Sequence, residues 1–308
     1  MTARTSDIAI VGGGVVGLSV ALGLLQAGRQ VIVLDGADGD FRASQGNFGL
    51  VWLQGKGADF APYANWTRNA VAAWPEFAAQ LEDRTKVDLA LDQSGGYEFF
   101  TDPEEFADFT AMLDRQKVHL GSRSSHDITS GDDLRRSFPE IGPNVVGATY
   151  CPLDGHVNPL RLLSALRVAV ISLGGRFVSD ALVTDVQAAH GGFDLSLRDG
   201  ACVSVGRVVL CAGLGTSALA EKLGFATRVH PQRGELLITE KLATRLPFLS
   251  STIRQVDEGG VQIGGTKADV GLDDGETLDV MAGLAKHAVS VLQRLPMFGS
   301  FGLGARYG

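Results

Sequence analysis

The sequence places glycines at a spacing that suits the binding of a pyrophosphate. Residues 12–17 fit the pattern G-x-G-x-x-G, and an acidic residue follows about 20 positions later. In such a pattern the first glycine permits a tight turn, the second lets phosphates approach the backbone, and the third lets a helix pack closely on a strand. Free N–H groups and the positive end of the helix dipole then bind the negative charge. The dinucleotide-binding residues predicted here are Gly12, Gly13, Gly14, Val15, Val16, Gly17 and Asp35.

Two apolar runs and a helical repeat surround these glycines. Residues 8–11 form a continuous apolar run typical of a buried parallel strand, and residues 31–34 form a second such run. Between them, Leu18, Leu22 and Leu25 recur at helical spacing. The order of strand, glycine turn, helix and strand predicts a βαβ unit.

The carboxylate of Asp35 narrows the choice of dinucleotide. An acid at the end of the second strand accepts hydrogen bonds from ribose hydroxyls and disfavours a 2′-phosphate, so NADP is not expected. This motif alone fits NAD and FAD equally well. Other segments of the chain must decide between them.

Residues 8–28 carry no charge and are long enough to span a bilayer. Their glycines lower the helix propensity, and the apolar residues divide into a strand-like run and a helix-like run. A signal peptide is not indicated either, because Arg4 alone would supply its cationic region and Asp7 follows at once. We therefore predict a buried segment and no membrane span.

The composition excludes several classes of protein. A length of 308 residues predicts two domains, and 45% apolar with 20% charged residues excludes a disordered chain. The formal charge is −8 and no basic run is present, which argues against nucleic acid as a partner. The three cysteines and six histidines show no zinc-type spacing, so we expect no metal site and a reducing, cytoplasmic location.

The segment from Asp7 to Asp35 resembles the start of the FAD-dependent glycine, sarcosine and D-amino acid oxidase (DAO) family. Members of that family are flavoproteins that oxidise C–N bonds, so the resemblance implies FAD as the cofactor and a small amino acid or amine as the substrate. The loop of residues 42–50 and the run of residues 207–215 resemble further family segments. The cofactor-binding residues implied by the resemblance are Ala43, Ser44, Asn47, Gly49 and Leu50 in the loop, Val183 in a strand beside the adenine, and Ala212 and Gly213 under the cofactor.

The resemblance also implies the fold class, which is α/β. It consists of a Rossmann-like FAD-binding domain and an interleaved α+β substrate domain with an antiparallel sheet. The FAD-binding domain is predicted over residues 1–85 and 150–220, and the substrate domain over residues 86–149 and 221–297. Helices are predicted over residues 62–83, 103–117, 159–173 and 277–295.

Several residues of reactive type are predicted to be structural. His156, beside Asn and Pro, is interpreted as a turn residue with a satisfied ring. Cys211 is interpreted as a core residue of an apolar strand, and Arg135 and Arg136 as parts of a solvated charged face. The aromatic residues of the first long helix after the βαβ unit, including Trp66, are assigned to the core. The catalytic residues are unknown, since no set of His, Ser or Cys suggests nucleophilic catalysis.

The end of the chain departs from the family pattern. The resemblance leads us to expect an Arg-x-Trp strand and a glycine-rich segment after the last helix, and residues 298–308 contain neither. One permitted back-translation of these residues, read in another frame, encodes an Arg-x-Trp motif. We therefore expect an aberrant tail at residues 298–308 from a truncated or frameshifted product.

These observations support three functional hypotheses. The first is an FAD-dependent oxidoreductase that oxidises the C–N bond of a small D-amino or secondary amino acid by hydride transfer to flavin N5, as a homo- or hetero-oligomer. The second is an inactive truncated remnant that binds FAD weakly or not at all. The third is an NAD-dependent dehydrogenase, which the segments after Asp35 disfavour.

Overall fold

The computed structural model describes residues 6–36, 42–243, 245–269 and 278–292. Its strands, in chain order, are β1 (Ser6–Val11), β2 (Val31–Leu34), β3 (Leu50–Val51), β4 (Gly96–Phe100), β5 (Asp127–Ser130), β6 (Gly147–Cys151), β7 (Gly155–His156), β8 (Arg176–Val178), β9 (Val183–Ala189), β10 (Gly192–Leu197), β11 (Cys202–Leu210), β12 (Leu237–Lys241), β13 (Ile253–Gln255) and β14 (Gly260–Ile263). Its α-helices are α1 (Val15–Gln26), α2 (Ala61–Thr85), α3 (Pro103–Leu120), α4 (Gly131–Ser137), α5 (Pro159–Ser172), α6 (Thr216–Lys222) and α7 (Leu278–Val291), with short 3-10 turns at Gly121–Arg123 and Gly213–Gly215.

The largest sheet has the strand order β8-β2-β1-β11-β10-β9. Strands β8, β2, β1 and β11 are parallel, and β10 and β9 continue the sheet in antiparallel pairing. Because successive side chains of a strand point to opposite faces, β1 contributes to two cores. Ile8 and Ile10 pack with α1 and α5 on one face, while Ala9 and Val11 pack with β9, β10 and α6 on the other. The uncharged segment of residues 8–28 therefore divides, as predicted, into a strand and a helix: β1 and one face of α1 are buried, whereas Val16 and residues 26–28 are exposed.

Besides the short antiparallel pair β3-β7, two three-stranded antiparallel sheets form the remainder of the β-structure that is described. Their strand orders are β4-β6-β5 and β12-β14-β13. They share one core, to which β4 contributes Phe99, β6 contributes Ala148 and β13 contributes Ile253. Strand β6 runs through the position predicted to divide the two domains, so we propose that the division lies after Cys151 rather than after residue 149.

Helix α2 forms where the sequence predicts it, but its buried face differs from the predicted one. Trp66 is 73% exposed, and the buried residues are Ala64, Val71, Ala78 and Leu81. Helix α2 contacts its neighbours α3 and α5. The assignment of Trp66 to the core is therefore wrong, because this residue lies on the face of α2 that points away from the core. Phe77, an aromatic residue of the same helix, does pack against the core.

The last described helix, α7, lies within the stretch predicted as helical at residues 277–295. The predicted atypical tail, residues 298–308, lies outside the described residues. Among the helices that the structure describes, none is both long enough and apolar enough to cross a bilayer.

Candidate functional site

The turn after β1 requires glycine at its first position. Gly12 has φ +106°, and its N–H donates to the carbonyl of Leu34 at 2.8 Å. A Cβ at this position would lie 2.3 Å from the carbonyl oxygen of Cys211. Only glycine fits this turn, which holds the end of β1 between β2 and β11.

The N-terminus of α1 follows this turn and forms the centre of the candidate site. Gly14 is the N-cap of α1 and has no side chain that could cap the helix. The first turn of α1 contains no acidic residue. A Cβ on Gly14 would lie 2.9 Å from Ser44 Oγ, which accepts a hydrogen bond from the Val15 N–H at 3.0 Å. The structure thus brings the predicted glycine turn and the predicted loop together. A helix N-terminus that no side chain of its own helix caps can bind an anionic phosphate.

Asp35 lies directly against the glycine turn. Its Oδ1 accepts a hydrogen bond from the Gly13 N–H at 3.1 Å, and its Oδ2 pairs with Arg42 Nη1 at 2.7 Å. The backbone of Asp35 also accepts from the Ala181 N–H at 2.8 Å, two residues before Val183. The predicted adenine-side strand therefore begins beside the predicted ribose-binding acid. Sequence reasoning did not single out Arg42, whose pairing depends on how the loop folds back.

The loop of residues 42–50 is held in one shape by its own polar groups. Asn47 Oδ1 accepts from the Gly49 N–H at 2.7 Å, and Asn47 Nδ2 donates to the carbonyl of Ala43 at 3.2 Å. Gly49 has φ +77°, and a Cβ there would lie 2.2 Å from the carbonyl oxygen of Val157. Leu50 then begins β3, which pairs with β7.

The end of β11 approaches the same turn from the other side. The Cys211 N–H donates to the carbonyl of Val11 at 2.8 Å, and Ala212 Cα lies 3.0 Å from a Cβ built on Gly12. Gly213 follows in a 3-10 turn with φ +56°. Burial raises the pKa of the Cys211 thiol, which agrees with its predicted role as a structural residue.

A buried arginine that sequence reasoning missed lies beside this loop. Arg254 is 1% exposed, and its Nη1 lies 2.7 Å from Nδ1 of His156. His156 lies in strand β7 and is not the turn residue that was predicted, although its ring does have a partner. Burial, reinforced by the charge of Arg254, lowers the pKa of His156 to about 4, so the imidazole is neutral at pH 7. Arg254 itself stands in a short strand that gives no motif.

A half-buried carboxyl group, that of Glu98, and a fully buried one, that of Asp154, lie near strand β3. Trp52 Nε1 donates to Glu98 Oε1 at 3.0 Å, and the Ser251 hydroxyl donates to Glu98 Oε2. Asp154 accepts from Gln54 Nε2 at 2.9 Å. Burial raises the pKa of Glu98 to about 7 and that of Asp154 to about 6. Sequence reasoning missed both, because each lies in a short run with no motif.

The raised pKa of Glu98 predicts a pH dependence of stability. The pKa of this carboxyl is about 7 in the folded chain and 4.5 in its ordinary state. At a pH between these two values, the carboxyl therefore takes up a proton when the chain folds. Its stabilising contribution is present below about pH 4.5 and is lost as the pH rises through about 7. Glu98→Gln resembles the protonated form at every pH. As the pH rises from 4.5 to 8, its free energy of unfolding in urea should increase by about 2 kcal/mol relative to that of wild type.

The exposed substitution Glu240→Gln is the control and should show no such gain across that pH range. A difference between Glu98→Gln and wild type that is the same at every pH would show that Glu98 does not hold a proton in the folded chain.

Comparison with known proteins places this geometry in context. The family described as "DAO: FAD dependent oxidoreductase" matches residues 7–305. A subunit of opine oxidase from Rhizobium meliloti is 37% identical over 290 residues, which are 94% of this chain and 78% of that protein. Glycine oxidase of Geobacillus kaustophilus is 26% identical over 247 residues, 80% of this chain and 64% of that protein.

The solved structures show the same fold. A glycine oxidase structure from Geobacillus kaustophilus superposes with a TM-score of 0.85 at 23% identity, and covers 99% of this chain and 82% of that one. A second glycine oxidase, from Bacillus cereus, has a TM-score of 0.81 at 22% identity, with 94% of this chain and 78% of that one covered. The predicted fold class, a parallel sheet combined with antiparallel sheets, is confirmed.

Proposed function

This chain belongs to the DAO family of FAD-dependent oxidoreductases, and we propose that it oxidises the C–N bond of a small D-amino or secondary amino acid. FAD, when bound, would supply the acceptor for the hydride that leaves the substrate carbon. The family assigns FAD as the cofactor, so the hypothesis of an NAD-dependent dehydrogenase is set aside. The relatives named opine oxidase and glycine oxidase support an amino acid as the substrate.

The observation that carries the proposal is the N-terminus of α1 behind the glycine turn, which no side chain of its own helix caps and which Ser44 Oγ meets at the Val15 N–H. Any side chain on Gly14 would fill the space between Ser44 and the N–H groups that begin α1. This space is the path by which a pyrophosphate reaches the backbone, so its preservation fits a dinucleotide. We propose that Gly14, Val15, Val16 and Ser44 hold the pyrophosphate.

The remaining proposed contacts extend from this turn in two directions. Toward the adenosine, Asp35 would bind the ribose hydroxyls and the backbone of Val183 the adenine edge. Toward the flavin, the proposed residues are Asn47, Gly49 and Leu50, with Ala212 and Gly213 beneath. The protein's contribution to the reaction is orientation of the substrate carbon against the cofactor.

The decisive experiment is anaerobic mixing of the purified protein with candidate substrates. We expect a flavin absorbance spectrum that bleaches with N-methylglycine or D-alanine, at about 1 to 1000 per second as is typical of enzymes. NADH serves as the control reductant and should not bleach the flavin at such a rate. Bound flavin that no amino acid reduces would contradict the proposed reaction, and protein without flavin would favour the hypothesis of an inactive remnant.

Asp35→Ala should weaken FAD binding without abolishing it. The substitution removes the proposed ribose acceptor and also releases the Gly13 N–H and Arg42. Hydrogen bonds to a charged group contribute about 1.5–3 kcal/mol, so the Kd for FAD should rise roughly 10- to 150-fold. Fluorescence titration of the flavin-free protein measures this. An unchanged Kd would place the ribose elsewhere.

We also propose that the chain works within an assembly of several chains. Two of its relatives, from opine oxidase and from hydrogen cyanide synthase, are each named as a subunit of their enzyme. Sedimentation velocity of the purified protein tests whether this chain associates with itself. A homogeneous species with the mass of a single chain would count against a homo-oligomer and leave a different chain as the partner.

A further inference from the structure

One side of helix α2 exposes aromatic and small apolar residues to solvent. Trp66 is 73% exposed, and Phe60 and Tyr63 at the same end of the helix are exposed as well. Ala70 and Ala73 continue the exposed side toward the middle of α2. Within the described ranges no side chain covers Trp66. Several large aromatic residues exposed together are typical of a surface that contacts another molecule.

The spacing along this side is that of a helix which packs on a second helix. Successive positions are separated by four and three residues in alternation, as in the contact line between two packed helices. The small side chains at its middle would let a second helix approach closely. This line, named here the α2 seam, consists of Trp66, Ala70, Ala73, Phe77, Gln80 and Arg84.

An open groove lies at the other end of the α2 seam. Its volume is about 490 Å³, and residues of α1, α2 and α5 line it. Leu22, Phe77 and Leu81 supply its apolar part, and Gln80 and Arg84 are among its polar residues. A cavity of this size can hold a small organic molecule, and it can therefore take an aromatic side chain.

A two-fold axis would bring the aromatic end of the α2 seam to this groove. Trp66 and Gln80 are separated by about 21 Å along the helix, at about 1.5 Å per residue, and Ala73 lies midway between them. If two copies of α2 cross in antiparallel orientation at Ala73, Trp66 of each copy faces the groove of the other. Such a contact uses the same surface on both copies, so it closes as a dimer.

The charges beside the α2 seam also favour the antiparallel orientation. At the aromatic end, Arg123 donates to Asn65 and, at 3.3 Å, to Asn69, so its guanidinium is held beside the helix. Glu76 is exposed on the same side of α2, nearer the groove. Antiparallel pairing brings Arg123 of one copy near Glu76 of the other, whereas parallel pairing would bring the two copies of Arg123 together.

We propose that two copies of this chain associate through the α2 seam, with Trp66 of each copy inserted into the groove of the other. The inference rests on the proposed assembly of several chains, and it names the surface and the partner. Exposed tryptophan and arginine are the residue types that contribute most to protein interfaces. An anionic bilayer suits this surface less well, because it would repel a chain of formal charge −8.

The first test is sedimentation velocity of the FAD-containing protein over a range of concentrations. Wild type should sediment as a dimer, and Trp66→Glu should raise the Kd of the dimer at least about 30-fold, because a carboxylate would be buried in an apolar groove. Phe225→Glu is the matched control and should associate as wild type does. Phe225 is 67% exposed and follows α6, which packs on the opposite face of the large sheet from α2.

The second test is disulfide cross-linking, which reports the position of the two-fold axis. Ala73→Cys, in a chain that also carries Cys202→Ser to remove the exposed native thiol, should form a covalent dimer on oxidation with diamide. The two new thiols would face each other at the axis, within the distance that a disulfide requires. Ala79→Cys in the same background is the control, because Ala79 is exposed on α2 but lies outside the seam.

Each test has an outcome that would overturn the inference. Wild type that sediments as a single chain at every concentration would do so, and it would leave a different chain as the partner in the proposed assembly. A dimer with the same Kd in wild type and Trp66→Glu would show that the copies associate through another surface. Equal cross-linking of Ala73→Cys and Ala79→Cys would exclude an axis at Ala73. Flavin content and reduction by amino acids, measured on the same samples, show separately whether the proposed reaction fails.

Discussion

Gly14→Val should yield a folded chain that retains no FAD after gel filtration. Gly14 has φ −74°, which valine also adopts, so the backbone is not strained by the substitution. The added Cβ would lie 2.9 Å from Ser44 Oγ, and its two methyl groups extend further into the same space. They would separate the proposed pyrophosphate from the N–H groups that begin α1. The expected loss is large because no other backbone of the turn can replace these donors.

Gly23→Val is the matched control for this experiment. Gly23 lies on the same helix, is exposed, and a Cβ there meets nothing within 4 Å. In Gly23→Val the ratio of flavin absorbance to protein absorbance should equal that of wild type. In Gly14→Val this ratio should fall to the value of protein without flavin. A circular dichroism spectrum like that of wild type establishes that Gly14→Val is folded. Wild-type flavin content in Gly14→Val would exclude this turn as the pyrophosphate site.

The glycine turn could be predicted from sequence because its requirements are local. At Gly17 the contacts that exclude a side chain come from Gly12 and Ile10 within the βαβ unit, and at Gly12 the positive φ of the turn is the local requirement, although its closest contacts are with the distant Cys211 and Ala212. Spacing along the chain therefore carries the information. Helix α2 differs, since its existence follows from its own residues but its buried face depends on α3 and α5. Trp66 was assigned to the wrong face for this reason.

The buried and half-buried charged residues could not be predicted, because their surroundings form only when distant segments meet. Arg254 contacts His156 across 98 residues of sequence, and Glu98 contacts Ser251 across 153. Each stands in a short strand in which a charged residue is ordinary if one face is exposed. Burial decides whether such a residue is an ordinary surface group or a group with a shifted pKa. Here burial depends on the packing of the antiparallel sheets against the cofactor loop.

Gly17→Ala should destabilise the fold itself, in contrast to Gly14→Val. A Cβ on Gly17 would lie 2.0 Å from the Gly12 carbonyl oxygen and 3.2 Å from Ile10 Cγ2. Gly12 cannot move away, because its N–H is bonded to Leu34 and its own Cα faces Cys211. Helix α1 would have to lift from β1 and open the core that Ile10 shares with Leu18. We expect the free energy of unfolding in urea to fall by about 3 kcal/mol or more.

The reference for Gly17→Ala is Gly14→Val, which also lacks FAD but keeps the contact between α1 and β1. The difference in free energy of unfolding between Gly17→Ala and Gly14→Val reports the loss of helix packing, because the stabilising effect of bound FAD is absent from the reference. Gly23→Ala places the same methyl group on an exposed position of α1 and should raise the stability by up to about 1 kcal/mol, because alanine favours helix more than glycine does. Equal unfolding midpoints for Gly17→Ala and Gly14→Val would mean that α1 does not pack on β1 through Gly17, and the third glycine of the motif would then have no structural role.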